Sequence, residues 1–195
     1  MSKTFLIGSC EPFSGKSALV LGIARELIAS NHLVRFGKPL ATSLELNVSK
    51  SGDIQNMIDD DVRFVGDTLN LSLDNLIPSL QFLAASTANE RITNNQLDAG
   101  VEFDKFKLSL NSSCDAINIL EAAGSLHEGL LYGLSLRQLA KGLNAKVLLA
   151  HFWQDSRSVE DLLEAKNQLG DNLCGVILNA VNPDQIKEIK EDIVP

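Results

Sequence analysis

Two hydrophobic rhythms alternate along this chain. Short continuous apolar runs, closed by glycine or polar residues, are separated by stretches whose apolar positions recur three and four apart. The first run, "TFLIG", reads as a buried strand. The stretch "GKSALVLGIARELIASN" places Leu19, Ile23 and Leu27 four apart with Val20, Ala24 and Ile28 beside them. That spacing predicts a helix with one buried face, ended by Asn31. Further on, residues 33–36 and 116–120 read as strands, the second closing on Glu121. "LSLRQLAKGLNA" reads as a helix, "KVLLAHF" as a strand, "SVEDLLEAKNQL" as a helix capped by Ser158, and "LCGVILNAVN" as a strand. Residues 70–113 carry the weakest pattern. There a short helix is expected over 76–85, a polar loop over "STANERITNNQ", and a second helix over 103–110. Strands alternating with helices imply a three-layer α/β domain, its sheet mostly parallel with helices on both faces.

Composition narrows the classes of function. A chain of 195 residues suits one such domain, spanning 1–195, and can bury a full core. Hydrophobic residues make up 45% and charged residues 22%, which is a globular balance. A net charge of −8 argues against nucleic acid or an anionic membrane as the main partner. Cys10, Cys114 and Cys174 have no metal-ligand spacing and read as reduced thiols of a cytoplasmic protein. At Cys10 a tolerated small residue is weighed against a reactive thiol beside a helix N-terminus. The opening run is too short for a signal peptide, and no segment has the length to span a bilayer.

The chemistry begins at "GSCEPFSGKS", residues 8–17. Strand, loop, Gly-Lys-Ser, helix is the order that a phosphate-binding loop requires. Gly15 lets the backbone approach a phosphate, and the first-turn N–H groups from Ser14 to Ala18 point at it. Lys16 neutralises outer phosphates there, and the Ser17 hydroxyl binds Mg²⁺. Cys10 stands where the ordinary loop has its first glycine.

Other positions offer chemistry at the same sheet edge. In "FGKPLATSLE", Pro39 forces Lys38 into extended geometry at a strand exit, with Thr42 and Ser43 following. Asp59, Asp60 and Asp61 precede a helix and suit either an N-terminal cap or a metal. Glu121 sits at the tip of a buried strand, where a phosphate-loop protein holds Mg²⁺ or its water. Gly124 then permits a turn near the γ-phosphate. His127 reads either as a base or as a solvated loop residue. Asn179 closes the "GVILNAV" run; its amide matches the N6/N7 edge of adenine and equally suits a turn.

"GSCEPFSGKSALVLGIA", with an acidic residue (Glu11) and a proline before Ser-Gly-Lys-Ser, resembles the dethiobiotin-synthetase-like N-terminal domain of phosphotransacetylases. "EAAGSLHEGLLYGLS" resembles that domain too, although Ala122 replaces the usual first glycine. The resemblance covers about residues 3–182 and implies a P-loop NTPase fold that binds ATP with Mg²⁺. It implies nucleotide contacts at Glu11, Ser14, Gly15, Lys16, Ser17, Ala18, Gly124 and Asn179. It further implies metal contacts at Ser17, Asp61 and Glu121, and catalytic roles for Lys16, Lys38 and Glu121. Related chromosome-partition ATPases carry a signature lysine where this chain has Glu11, so lysine-dependent dimer activation is not expected. A homodimer is the candidate assembly. Relatives continue beyond the equivalent of "KEDIVP", so the chain is read as a single domain or the first part of a longer one. Three outputs are implied: regulation or ATP-driven chemistry on a small acid, a ligase of the dethiobiotin synthetase type, or a nucleotide-binding scaffold without turnover.

Overall fold

Successive side chains of the central strand pack on opposite faces of the sheet, and this fixes the layering. In strand β1 (Lys3–Ser9), Leu6 packs into one apolar cluster and Ile7 into another on the opposite face. The computed structural model describes residues 3–44, 57–111 and 115–192. Helix α1 (Lys16–Ala29) follows β1, and β2 (Leu33–Gly37) follows α1. After the two-residue strand β3 (Leu40–Ala41) come α2 (Asp60–Leu69), β4 (Leu76–Ile77) and β5 (Gln81–Phe82). Helices α3 (Ala85–Thr93) and α4 (Gly100–Asn111) lead to β6 (Ala116–Glu121). The chain then runs through α5 (Leu136–Leu143), β7 (Lys146–Phe152), α6 (Ser158–Leu169), β8 (Leu173–Asn179) and α7 (Ile186–Asp192).

Six strands form a parallel sheet in the order β4-β2-β6-β1-β7-β8, while β3 and β5 pair separately. On one face, Val20 and Ala24 of α1 and Val62 and Val65 of α2 pack over Ile7, Phe36 and Ile119. On the other, Phe106, Leu136, Leu139 and Ala165 from α4, α5 and α6 pack over Leu6, Leu120 and Leu149. Each such side chain contributes about 1.5–3 kcal/mol through the area it removes from water. Every residue of β6 is buried, so its polar members Asn118 and Glu121 must find partners or a purpose. Asn118 finds them in Thr4 Oγ1 and the Leu110 carbonyl, each 3.1 Å from its amide nitrogen.

The strands and helices with strong periodicity form where expected; the middle of the chain does not. The helix expected over 76–85 is instead the pair of short strands β4 and β5, and the expected polar loop after it is the helix α3. Helix α3 gains its hold from Ala88, packed on the core, and Arg91, whose guanidinium lies 5.4 Å from the Tyr132 ring centroid. Two single contacts of this kind leave no apolar stripe to read. Helix α4 covers the expected 103–110 and starts earlier, at Gly100. Ser158 is the first helical residue of α6 and accepts a hydrogen bond from the Gln154 N–H, while Arg157 holds the cap position. Among the described residues no helix is long and apolar enough to cross a membrane.

Candidate functional site

Every parallel strand delivers its following loop to the same edge of the sheet, and the pairing registers bring three of these loops together. Ile7 of β1 lies opposite Glu121 of β6, and Gly37 of β2 lies opposite Leu120. The loops after Ser9, Gly37 and Glu121 therefore converge on one cavity of about 510 Å³.

The first loop is built around its own hydroxyls. The Ser14 hydroxyl donates to the Glu11 carbonyl at 2.8 Å, and the Leu19 N–H donates to the Gly15 carbonyl at 3.0 Å. Gly15 has φ 90°, a conformation that glycine adopts without strain, and stands at the cap position of α1. No side chain caps this helix and no acidic residue occupies its first turn. Its free N–H groups and dipole thus face the cavity with their anion-binding capacity unspent. Phe13 is 99% exposed at φ 61°, a conformation costly for an aromatic residue.

Lys16 lies buried beneath this loop, where its ammonium donates to Ser9 Oγ at 2.9 Å. Burial pushes its pKa down, and the Glu121 carboxylate partly opposes that. Ser9 Oγ is also 2.7 Å from the Glu11 carbonyl and 2.9 Å from the Gly124 carbonyl, so one hydroxyl ties two loops to the lysine.

Lys38 is the second buried cation, and its three donors are matched by three acceptors. Its ammonium lies 2.6 Å from Thr42 Oγ1, 2.7 Å from Asp61 Oδ2 and 3.4 Å from Asp59 Oδ1. Burial works against its charge, but the Asp61 hydrogen bond and the nearby Asp59 and Glu121 outweigh it, and its pKa rises. The aspartates divide their work. Asp59 is wholly buried, caps α2 by accepting from the Asp61 N–H, and also accepts from the N–H groups of Thr42 and Ser43. Asp61, with its side chain 46% exposed, reaches the cavity.

Glu121 is the least satisfied group in the site. Its Oε1 is 3.4 Å from the Ser17 hydroxyl, and its buried Oε2 has no partner. Burial raises its pKa from 4.5 to about 7, against the pull of Lys38 and Lys16. A divalent cation is the chemistry that would meet an orphaned buried carboxylate oxygen beside a hydroxyl. Among the described residues no three His, Cys, Asp or Glu side chains cluster as a metal cage. Magnesium in nucleotide sites needs none, because phosphate oxygens and waters complete its octahedron.

The cavity is lined by Ser14, Gly15, Lys16, Ser17 and Ala18 of the first loop and helix, and by Lys38, Asp61, Glu121 and Gly124. Two expected contacts lie outside that lining. Glu11 contributes its backbone carbonyl to the loop. Asn179 closes β8, and its Nδ2 donates to the Ser14 carbonyl at 3.1 Å while Oδ1 accepts from the Ala180 N–H at 2.9 Å. A side chain on Gly15 would collide with that same Nδ2. His127 is exposed and lies 3.4 Å from Gln168 Nε2, outside the cavity lining. The Cys10 thiol is half-buried, and burial with the charges of Asp161 and Glu11 pushes it up to about 12, so it stays protonated and unreactive. Ser9, Thr42, Phe13 and Glu128 complete the site's surroundings. Only the terminal position of Ser9 on an apolar strand and the hydroxyls after Lys38 hinted at them in the sequence.

A parallel sheet carrying Gly-Lys-Ser between its central strand and a helix, under an uncapped helix N-terminus, defines a nucleotide-binding P-loop NTPase domain. A family model described as an AAA domain (AAA_26) matches residues 3–194, and the chain belongs to that family. Among solved structures it is similar to the signal recognition particle receptor FtsY from Elizabethkingia anophelis, in complex with GDP. That similarity has 14% identity and a TM-score of 0.49, over 88% of this chain and 46% of that chain. This chain thus spans less than half the length of that relative.

Proposed function

We propose that this domain binds ATP with Mg²⁺, in the manner of the dethiobiotin-synthetase-like domain linked to phosphotransacetylases. The observation that carries the reading is the orphaned Glu121 carboxylate facing Ser17 at the uncapped start of α1. Lys16 and the first-turn N–H groups hold the phosphates, and Ser17, Glu121 and Asp61 hold magnesium directly or through its waters. Bound magnesium neutralises phosphate charge. Lys38, which lines the same cavity, steadies the outer phosphate or an anionic second reactant.

Adenine is favoured because Asn179 keeps spare capacity. After its bonds to Ser14 and Ala180, the amide retains one N–H and one lone pair, which match N7 and N6–H of adenine. Guanine offers two acceptors at that edge. Calorimetric titration with Mg–ATP, Mg–GTP and Mg–ADP tests the reading. ATP binding that needs Lys16 and magnesium supports it, and absence of binding by any nucleotide overturns it.

A ligase reading keeps one specific support: Lys38, Thr42 and Leu83 line the cavity together with the phosphate loop, so residues outside that loop are available to a second reactant. Phosphate release that depends on a diamine and bicarbonate would favour it. ATP binding without any phosphate release would favour a regulatory or scaffold role.

A further inference from the structure

The loop after β6 contains a carboxylate that already sits where the cavity offers a hydrogen bond to an anion. Glu128 Oε2 accepts a hydrogen bond from the Gly124 backbone N–H. Gly124 lies against the first loop: a side chain on it would meet Pro12 Cγ at 3.4 Å and Glu128 Oε2 at 2.7 Å. Its carbonyl lies 2.9 Å from the same Ser9 hydroxyl that receives Lys16. Gly124 and Glu128 both line the cavity with Lys16. The Lys16 ammonium, disfavoured by burial, feels Glu128 as one of the charges supporting it. An amide N–H that shares a cavity with a buried lysine is a recognition element for an oxyanion. In this chain a side-chain carboxylate takes that place.

The hold on Glu128 is local and releasable. Its own N–H donates to Ser125 Oγ at 3.3 Å, and Gly129 beyond it turns at φ 89°. That turn is fixed, since a side chain at Gly129 would press on Leu40 Cδ2 at 2.9 Å and the Leu134 backbone at 3.0 Å. Glu128 therefore leaves by side-chain rotation while the loop backbone stays. Its position is half-exposed, so the freed carboxylate returns to water at little cost.

We propose that Glu128 is an internal competitor for the N–H of Gly124, itself an expected nucleotide contact, and is displaced when a ligand's anionic oxygen arrives. The inference rests on the nucleotide reading for the identity of one source, the γ-phosphate. The second source is an anionic co-substrate bound beside a diphosphate. Either way Glu128 sets a threshold: weak or misplaced anions fail to displace it, so it acts as a specificity residue.

Wild type, Glu128→Ala and Glu128→Gln are titrated with Mg–ADP, with a non-hydrolysable Mg–ATP analogue, and with inorganic phosphate in the presence and absence of Mg–ADP. The Gly124 amide proton shift is followed by NMR in each. Glu128→Ala is expected to bind the occupying anion about 10- to 150-fold tighter, the range for recovering one hydrogen bond to a charged group. Glu128→Gln, which keeps an acceptor without the charge, falls between. A gain confined to the ATP analogue assigns the site to the γ-phosphate; a gain confined to phosphate assigns it to the co-substrate. In both cases the Gly124 proton moves upfield in free Glu128→Ala and returns downfield on binding. Unchanged or weaker affinity for every anion in both variants, with wild-type melting temperatures, overturns the proposal. If the wild type binds no nucleotide, the function proposed above fails alone, and phosphate titration without nucleotide decides the oxyanion site.

Discussion

Lys16 rests its ammonium on Ser9 Oγ at 2.9 Å, so the phosphate-loop lysine is held by the last residue of the strand that precedes its own loop. The contact gives a buried cation an acceptor within the protein. It also means that ligand binding exchanges one partner for another, and does not order a free side chain. Lys16→Ala is expected to weaken Mg–ATP binding by at least ~1.5–3 kcal/mol, the range for a charge-assisted contact. Ser9→Ala removes this resting partner together with the hydroxyl's ties to the Glu11 and Gly124 carbonyls. It is expected to destabilise the free protein by about 1–3 kcal/mol, the cost of a buried charged donor losing its acceptor. The deficit should shrink at saturating Mg–ATP, because phosphate restores a partner. Paired thermal melts with and without nucleotide check this, and a deficit independent of nucleotide counts against it.

Glu121 makes stability depend on pH in an unusual direction for a carboxyl group. Its pKa in the folded chain is raised from 4.5 to about 7, so the folded state holds the proton more tightly than the unfolded state. The contribution is fully present below pH 4.5 and is lost as pH rises through about 7. At ~1.4 kcal/mol per pH unit, the loss approaches about 3 kcal/mol as an upper bound. Glu121→Gln keeps the shape without the ionisation, so it should match wild type near pH 4 and exceed it above pH 8. Magnesium with nucleotide should offset the wild-type loss, since the cation replaces the proton. Denaturant melts across that range decide it. A Glu121→Gln variant that tracks wild type at every pH would move the residue out of this role.

Asp59 and Asp61 share Lys38 but differ in burial, and this separates structure from function. Asp59 is wholly enclosed and accepts from three backbone N–H groups besides meeting Lys38. Asp59→Asn should cost about 3–5 kcal/mol, as when one member of a buried pair is lost. Asp61 is partly solvated, so Asp61→Asn should cost under ~1 kcal/mol in stability. It should nevertheless reduce the magnesium dependence of nucleotide binding. Denaturant titrations paired with magnesium titrations test the two variants, and equal stability losses would refute the division.

The parts of the fold legible in the sequence are those where one face or one whole strand is buried. The runs around Ile7, Ile119 and Leu149 announced the central strands because parallel strands covered on both sides are continuously apolar. The Gly-Lys-Ser turn and the Lys-Pro exit were legible because each imposes a backbone geometry on its neighbours. Helix α3 was not, because its anchors are a small alanine and an arginine stacked on Tyr132. The link between Lys16 and Ser9, the division between Asp59 and Asp61, and the Glu128 hydrogen bond were equally hidden. All three depend on which side-chain atoms meet after the sheet register brings distant loops together.

Asn179 has a structural role and a proposed recognition role, and the two predict different consequences of its loss. Its Nδ2 holds the Ser14 carbonyl at 3.1 Å, which fastens the edge strand β8 to the phosphate loop. Asn179→Ala frees that carbonyl and loosens the loop, so affinity for every nucleotide should fall, by about 0.5–1.5 kcal/mol for one neutral hydrogen bond. If the amide's remaining N–H and lone pair also meet N7 and N6–H of adenine, ATP loses a bidentate contact that GTP never made. The wild type should then prefer ATP by roughly 1–3 kcal/mol, and the variant should lose most of that preference on top of the common fall. Lys16 is untouched, so the triphosphate contribution persists in both. Competition titrations of ATP against GTP in the two proteins measure the common fall and the preference separately. An equal fall for both nucleotides leaves Asn179 as a fastener of the loop alone, while a wild type that binds GTP as tightly as ATP removes adenine recognition from this position.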